Sequence, residues 1–379
     1  MLFKMRSFKV NVFIVCATIT ALSRAESNPD PADEKKVSLI EVAPVVYHLA
    51  ARKWSFYGDA QTTQGRFGER SRLLGNLGGD RDAMVDNGIF LDWGLTQFAQ
   101  GNTTGGLRDS PDPRTNGSTD LYLWLDTGKL NWWSGGAIFA HWEANWGTDM
   151  NGDVDSLLPA NWDAAMPSTN NTPNADLSEL YWLQALPAGW LLALGKMDFA
   201  AWADTNAFAN NERTQFSSIG LVNNAIAGVF FPYTANGGFL AYTSPNQHHN
   251  VDLVFAKQKA SVGQTGFDDL DNSDNSYAIQ YTFTTEIDNK PGHYLIAGAY
   301  STKELEKFEV TRGVIRRSGL VDEIQLPEVV DEDENYTVIG NFDQFLWVKE
   351  GATSRRDGTP VGIGVFARAG WSPDDRNVV

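Results

Sequence analysis

The chain has 379 residues, a formal charge of −17 and a single cysteine, Cys16. That acidity argues against nucleic acid as a partner. It carries 13 Trp, 21 Phe and 11 Tyr, an aromatic content that soluble globules with few long apolar runs rarely need.

The first residues hold Lys4, Arg6 and Lys9, then an apolar run from Val10 to Leu22, then Ser23-Arg24-Ala25 before Glu26. This order of basic, apolar and small residues predicts a signal peptide over residues 1–25, because the apolar run is shorter than the roughly 20 residues a spanning helix needs. Cleavage would remove Lys4, Arg6, Lys9 and Arg24 and no acids, moving the charge from −17 to −21, and would leave no cysteine. An exported chain without disulfides must draw stability from elsewhere, and a closed β-barrel supplies it. Rings at both membrane interfaces, with polar lumen and loops, also account for the aromatic count.

Residues 26–70 are mixed and Pro-containing, and read as a periplasmic extension with a short helix around Val37–Ala51. Leu77–Gly88 reads as a short helix stopped by Gly88. From Ile89 the pattern changes to period two.

Three strands are clean. In 137–146, Ile138, Ala140, Trp142, Ala144 and Trp146 share one face, and Phe139, His141, Glu143 and Asn145 the other. In 277–286, Tyr277, Ile279, Tyr281 and Phe283 oppose Gln280, Thr282, Thr284 and Glu286; in 361–371, an apolar row from Val361 to Trp371 opposes Gly362, Gly364, Phe366, Arg368 and Gly370. Less regular candidates are 89–99, 119–130, 176–186, 189–198, 227–233, 236–243, 249–257, 292–301 and 336–348, for eleven or twelve strands in all. Short turns are expected at Lys290-Pro291-Gly292 and Asn236-Gly237-Gly238, and long connections at 102–117, 147–175 and 302–335. Alternating short and long connections suit an up-and-down membrane barrel; a soluble β-sandwich is the competing fold.

The densest polar and aromatic stretch is Asp204–Phe216, reading DTNAFANNERTQF. Amides, charges and rings in such a mixture either meet sugar hydroxyls and ring faces or knit a complicated loop together. The candidate pore-lining set is Arg81, His141, Glu143, Asn145, Asp204, Asn206, Asn210, Glu212, Arg213, Gln215 and Arg368. Each has a plain alternative: water-facing wall residues for the strand positions, a loop network for the 204–215 group, and a cap or surface pair for Arg81. Trp132, Trp133, Trp142, Trp146, Trp182, Trp190 and Trp371 read mainly as membrane-interface residues. Asp149–Asp155 alternates oxygen ligands but lacks the spacing and closing glutamate of a calcium loop, so it and Asp268–Asn275 read as acidic external loops facing lipopolysaccharide. No metal or cofactor is expected.

The Gly78-Gly79-Asp80-Arg81 segment with Gly88-Ile89, the 204–224 block and Phe342–Trp347 occur in an order that resembles the carbohydrate-selective porins of the OprB family. The likeness covers roughly residues 71–371, with Leu77 where tryptophan is common and Met84 where leucine is. It implies an all-β, antiparallel transmembrane β-barrel of porin type in the outer membrane of a Gram-negative bacterium. Sixteen strands are expected in the family, against the eleven or twelve here, with a short N-terminal helical segment. It implies passive, carbohydrate-selective diffusion of glucose and related mono- or oligosaccharides through a barrel domain over 71–379. Because family members continue beyond the position of Trp371, the chain is expected to be C-terminally shortened. The alternative is a pore-less carbohydrate-binding or structural envelope protein, or a defective remnant of a porin. Hydrolase chemistry at Glu143 and His141 is disfavoured: no Gly-x-Ser-x-Gly elbow, phosphate-binding loop or zinc motif is present.

Overall fold

A computed structural model describes residues 36–39, 66, 72–107, 110–154, 158–165, 176–258, 274–303, 305–308, 329–332, 335–353 and 360–373. The signal segment, most of the expected 37–51 helix and residues 268–273 of the second acidic loop lie outside them. Among the described residues no helix is long and apolar enough to cross a membrane.

Eleven strands form one antiparallel sheet: β1 (Ile89–Asn102), β2 (Ser110–Asp126), β3 (Gly136–Gly147), β4 (Asp176–Leu186), β5 (Trp190–Met197), β6 (Ala235–Thr243), β7 (His249–Lys257), β8 (Asn275–Ile287), β9 (Lys290–Ser301), β12 (Asn335–Thr353) and β13 (Pro360–Trp371). Each pairs with its neighbour in that order, and β10 (Leu305–Phe308) with β11 (Val329–Glu332) makes a separate hairpin within the β9–β12 connection. The order is that of an up-and-down wall. Connections at one end are short (127–135, 187–189, 244–248, 288–289, 354–359); those at the other run long (148–175, 198–234, 258–274, 302–334), β1–β2 excepted.

Side chains sort by the pleat. On β3 the burial alternates, with Phe139, His141, Glu143 and Asn145 inside. On β13, Val361, Ile363 and Val365 stay exposed while Gly362, Gly364, Phe366 and Arg368 turn inward. Trp93, Leu95, Leu253, Phe255, Ile279, Ile296, Tyr336, Trp347 and Ile363 extend the exposed apolar surface over the same outer face. A water-soluble sandwich would bury such a band. An outer face of this kind is suited to lipid, and the polar inner face to water.

Two contacts show how far the sheet curls. Gln100 on β1 donates from Nε2 to Ser217 Oγ at 3.1 Å, and the Phe216 ring lies 5.9 Å from Phe366 on β13. In a flat sheet, ten strand spacings of ~4.8 Å would hold β1 and β13 ~48 Å apart. Consecutive Cα atoms are separated by only ~3.8 Å, so the wall must wrap around until its two edge strands both reach one turn of the 198–234 loop. Among the described residues β1 and β13 do not pair with each other.

Several expectations change. The 227–233 segment is no strand: Ala227–Phe230 is a helical turn within the inward loop. β2 spans 110–126 rather than 119–130, so most of the expected 102–117 loop is strand. Asn236-Gly237-Gly238 lies within β6 rather than in a turn; a Cβ on Gly237 would sit 2.8 Å from Phe199 Cζ, so the glycine admits the loop against the wall. The turn expected at 290–292 is Asp288-Asn289, both at positive φ. The N-terminal helix is Asp80–Asp86, ended by Gly88 at φ +82. Lys36–Leu39 docks at the short-turn end: Gly135 N donates to Val37 O at 2.7 Å and Leu39 is fully buried.

Candidate functional site

The inner face of the wall meets two inward segments, Trp162–Ala165 from the β3–β4 connection and the long 198–234 loop. Arg213 projects from that loop toward β2 and β3. Its Nη2 lies 2.8 Å from Asp120 Oδ1 and 3.3 Å from Glu143 Oε1, its Nε lies 2.6 Å from Asp163 Oδ1, and Nη1 donates to Tyr122 Oη at 2.9 Å. The planar fork of an arginine suits several acceptors arranged around it. Glu212 Oε1 is 3.7 Å from the same Nε. Burial alone would favour loss of the Arg213 proton, but Tyr122, Asp120, Glu212 and Asp163 outweigh it and hold the guanidinium charged.

His141 sits beside this fork. Glu179 Oε2 is 3.0 Å from its Nδ1 and Asp120 Oδ1 is 3.0 Å from its Nε2, and the ring stacks on Tyr122 at 4.2 Å. Carboxylate oxygens at both nitrogens are satisfied together only when both donate, so the ring is an imidazolium. Tyr233 Oη donates to Glu143 Oε2 at 2.7 Å. Asp120, Glu143, Asp163 and Glu179 therefore face two cations, leaving the cluster acidic. Asp120, His141 and Glu143 have the donor types of a metal site. Arg213 Nη2 already sits between the Asp120 and Glu143 oxygens.

Asp163 differs from its neighbours. Oδ1 takes Arg213 and Ser118 Oγ (2.9 Å), while Oδ2 is buried with no hydrogen-bond partner among the described residues. Burial, only partly countered by Arg213, pushes its pKa up to about 6. Asn145 Nδ2 donates to the Asp163 carbonyl at 2.9 Å, pinning the Trp162–Ala165 turn to β3.

The loop's other anchor is on β12 and β13. Arg368 Nε is 2.8 Å from Asp204 Oδ2, and its Nη1 and Nη2 donate to the carbonyls of Leu221 and Ala209, both at 2.7 Å. Asn341 Nδ2 donates to Asp204 Oδ1 at 2.8 Å, and Asn206 Nδ2 to Asn341 Oδ1 at 2.8 Å. Burial raises the Asp204 pKa against the pull of Arg368. Glycines on β13 allow this close approach: a Cβ on Gly364 would stand 2.1 Å from Phe208 Cζ.

The residues singled out in the sequence thus fall into four groups. His141, Glu143, Asn145, Glu212 and Arg213 converge on one wall. Asp204, Asn206 and Arg368 converge on the other, while Asn210 and Gln215 tie the loop to itself, Asn206 N donating to Asn210 Oδ1 at 2.7 Å and Asn210 N to Gln215 Oε1 at 2.6 Å. Arg81 joins neither anchor: it lies at the short-turn end, 3.7 Å from Asp92 and donating to Leu91 O at 3.2 Å. Asp153 is no free external acid, since Arg114 Nε holds its Oδ2 at 2.9 Å. Sequence reading missed Asp120, Tyr122, Asp163, Glu179, Tyr233 and Asn341. Asp120 and Tyr122 alternate with Trp124 on β2, a period-two signal that could have placed them inside.

A wall that curls round an inward loop, lipid-suited outside and charged inside, is the architecture of a β-barrel pore protein. The chain belongs to the carbohydrate-selective porin, OprB family, whose model matches residues 110–379. The high-pH structure of Pseudomonas putida OprB is similar over 81% of this chain and 72% of that one, at 16% identity and a TM-score of 0.62, which shows the porin-type β-barrel fold. The low-pH structure of the same protein aligns over 78% of this chain and 82% of that one, at 15% identity and a TM-score of only 0.37. No curated protein matches. The family and fold are those of an outer-membrane channel for carbohydrates rather than of an enzyme.

Proposed function

We propose that the chain is a passive channel for glucose and related mono- or oligosaccharides, in which the 198–234 loop narrows the lumen. The observation that carries this reading is the double anchorage of that loop: Arg213 on β2 and β3, and Asp204 with Arg368 on β13, pin one segment across the interior. Between the anchors the crest Thr214-Gln215-Phe216 remains exposed and meets solute. There an amide and a ring face replace part of a sugar's hydration, without energy coupling. Most carboxylates and both arginines are engaged with one another. They set the shape and field of the passage, and the 204–215 group acts chiefly as scaffold.

In this reading residues 1–25 direct export in a Gram-negative cell. Residues 26–70 lie on the periplasmic side with the short turns, and 71–379 form the barrel domain embedded in outer-membrane lipid beneath lipopolysaccharide. The test is reconstitution of the full chain in planar bilayers. The expected result is a steady ion conductance that glucose reduces in a concentration-dependent manner; a conductance indifferent to glucose, or none, refutes the sugar channel.

A further inference from the structure

A second space lies between the inward loop and the wall, on the short-turn side of the loop. It measures about 240 Å³ and is bounded by Phe199, Trp202 and Phe231 from the loop, and by the inner faces of β6 to β9 and β12. The wall there carries small side chains, among them Ala278 and Ala297, which is why the loop does not fill it. The volume falls a little below the ~300 Å³ at which small-molecule sites begin, so it suits one sugar ring rather than a longer saccharide.

Its polar groups are few and oriented. Asp252 on β7 accepts from Asn250 Nδ2 at 2.7 Å through Oδ1 and from Gln280 Nε2 at 3.0 Å through Oδ2. Gln280 cannot turn its amide round freely, because its Oε1 accepts the backbone N–H of Asp204 at 3.1 Å. Each Asp252 oxygen has used one of its two acceptor directions. The two that remain are spaced to receive a pair of adjacent hydroxyls. Among the described lining residues there is no Lys, Arg or His.

We propose that this chamber is a saccharide subsite, separate from the crest of the loop, that holds one neutral hexopyranose by Asp252 and the aromatic lining and discriminates against acidic sugars. The proposal rests on the sugar-channel reading above. The apolar C–H faces of a pyranose meet Phe199, Trp202 and Phe231, and its vicinal hydroxyls donate to Asp252. A uronate or aldonate would bring a second negative charge to a carboxylate with no cation beside it. Because Gln280 joins Asp252 to the Asp204 backbone, which Arg368 also grips, the chamber and the loop anchor share one hydrogen-bonded chain.

The experiment compares wild type, Asp252→Asn, Asp252→Glu and Trp202→Leu, each as the full chain. Planar bilayers read the glucose concentration that halves the current, and liposome swelling reads glucose against gluconate entry. Heat-modifiable gel migration selects folded material. Asp252→Asn should raise the half-blocking concentration about tenfold by removing a charge-assisted acceptor, and should narrow the preference for glucose over gluconate. Asp252→Glu should retain most of that preference, and Trp202→Leu should weaken glucose block about three- to tenfold. Folded Asp252→Asn and Trp202→Leu channels with wild-type block and wild-type preference would overturn the chamber while leaving the channel intact. A wild type that conducts ions but shows no response to glucose would overturn the sugar-channel reading and the chamber with it.

Discussion

Replacing Arg213 by methionine removes the cation around which one end of the inward loop is built while keeping most of the side chain's bulk. In the native arrangement the guanidinium meets Asp120, Glu143 and Asp163 at 2.8, 3.3 and 2.6 Å, with only 14% of the side chain exposed. Methionine leaves these three carboxylates facing one another, with His141 remaining beside Asp120 and Glu143. Removing one partner of a buried ion pair costs about 3–5 kcal/mol. Most of that penalty is relieved if the loop lifts away and water enters, so it acts on the closed state. A bias of that size shifts the ratio of lifted to seated loop by roughly 10²- to 5 × 10³-fold. Asp204 and Arg368 still hold the far end, so the loop swings rather than unfolds. In planar bilayers Arg213→Met should conduct more at the same voltage, respond less to glucose, and prefer cations more strongly, because one positive charge has left an acidic cluster. Arg213→Lys keeps the charge but loses the fork, and should fall between the two. A folded Arg213→Met channel with the conductance, glucose response and ion preference of wild type would refute the loop anchorage.

Three further outcomes follow from the same geometry. Asp163 has a pKa raised from 3.8 to about 6, so the native fold binds its proton first: that stabilisation is complete below pH 3.8, is lost as pH rises through 6, and amounts to at most about 3 kcal/mol. Cation preference should accordingly decline as the pH is lowered from 7 to 5, and Asp163→Asn should flatten the curve; an unchanged curve contradicts the assignment. On the outer face, Ile363 is 64% exposed on β13, and Ile363→Lys should cost about 2–4 kcal/mol in lipid, read as a lower temperature of heat-modifiable migration. Equal stability there would mean that this face does not meet hydrocarbon. Gly364→Val would set a Cβ 2.1 Å from Phe208 Cζ, and overpacking of that kind costs about 1–3 kcal/mol; wild-type thermal stability and conductance would show that the loop does not rest on β13.

Strand identity was largely written in the alternation, whereas the anchors of the loop were not. Wall strands such as 176–186 and 249–257 coincide with the runs read from period two, because inside and outside solvents differ and the pleat alternates between them. The reading failed where that contrast vanishes. Residues 227–233 sit inside the lumen with no lipid face, so their apolar content reports packing against the wall and carries no strand period. At 236–238 the glycines signalled a turn, yet they lie within β6, where Gly237 serves close approach by Phe199 and Gly238 faces Ala193 and Leu194 of β5. The β10–β11 hairpin stands apart from the main sheet and left no usable pattern.

The same limit applies to the site. Arg213 meets Asp163, Glu143 and Tyr122 across sequence separations of 50, 70 and 91 residues. That Glu143 faces inward follows from β3 alone. That it lies beside Asp120, Asp163 and a loop arginine depends on how far eleven strands curl and where a long connection turns back, and no short pattern encodes either. What the sequence does carry is the stoichiometry of the problem: inward acids on β2, β3 and β4 would be untenable together without a cation brought to them. The inward-facing acids of a barrel wall therefore predict that some loop must deliver an arginine or lysine. In this chain Arg213 does so, and in the proposed channel the same contact is what draws the loop across the passage.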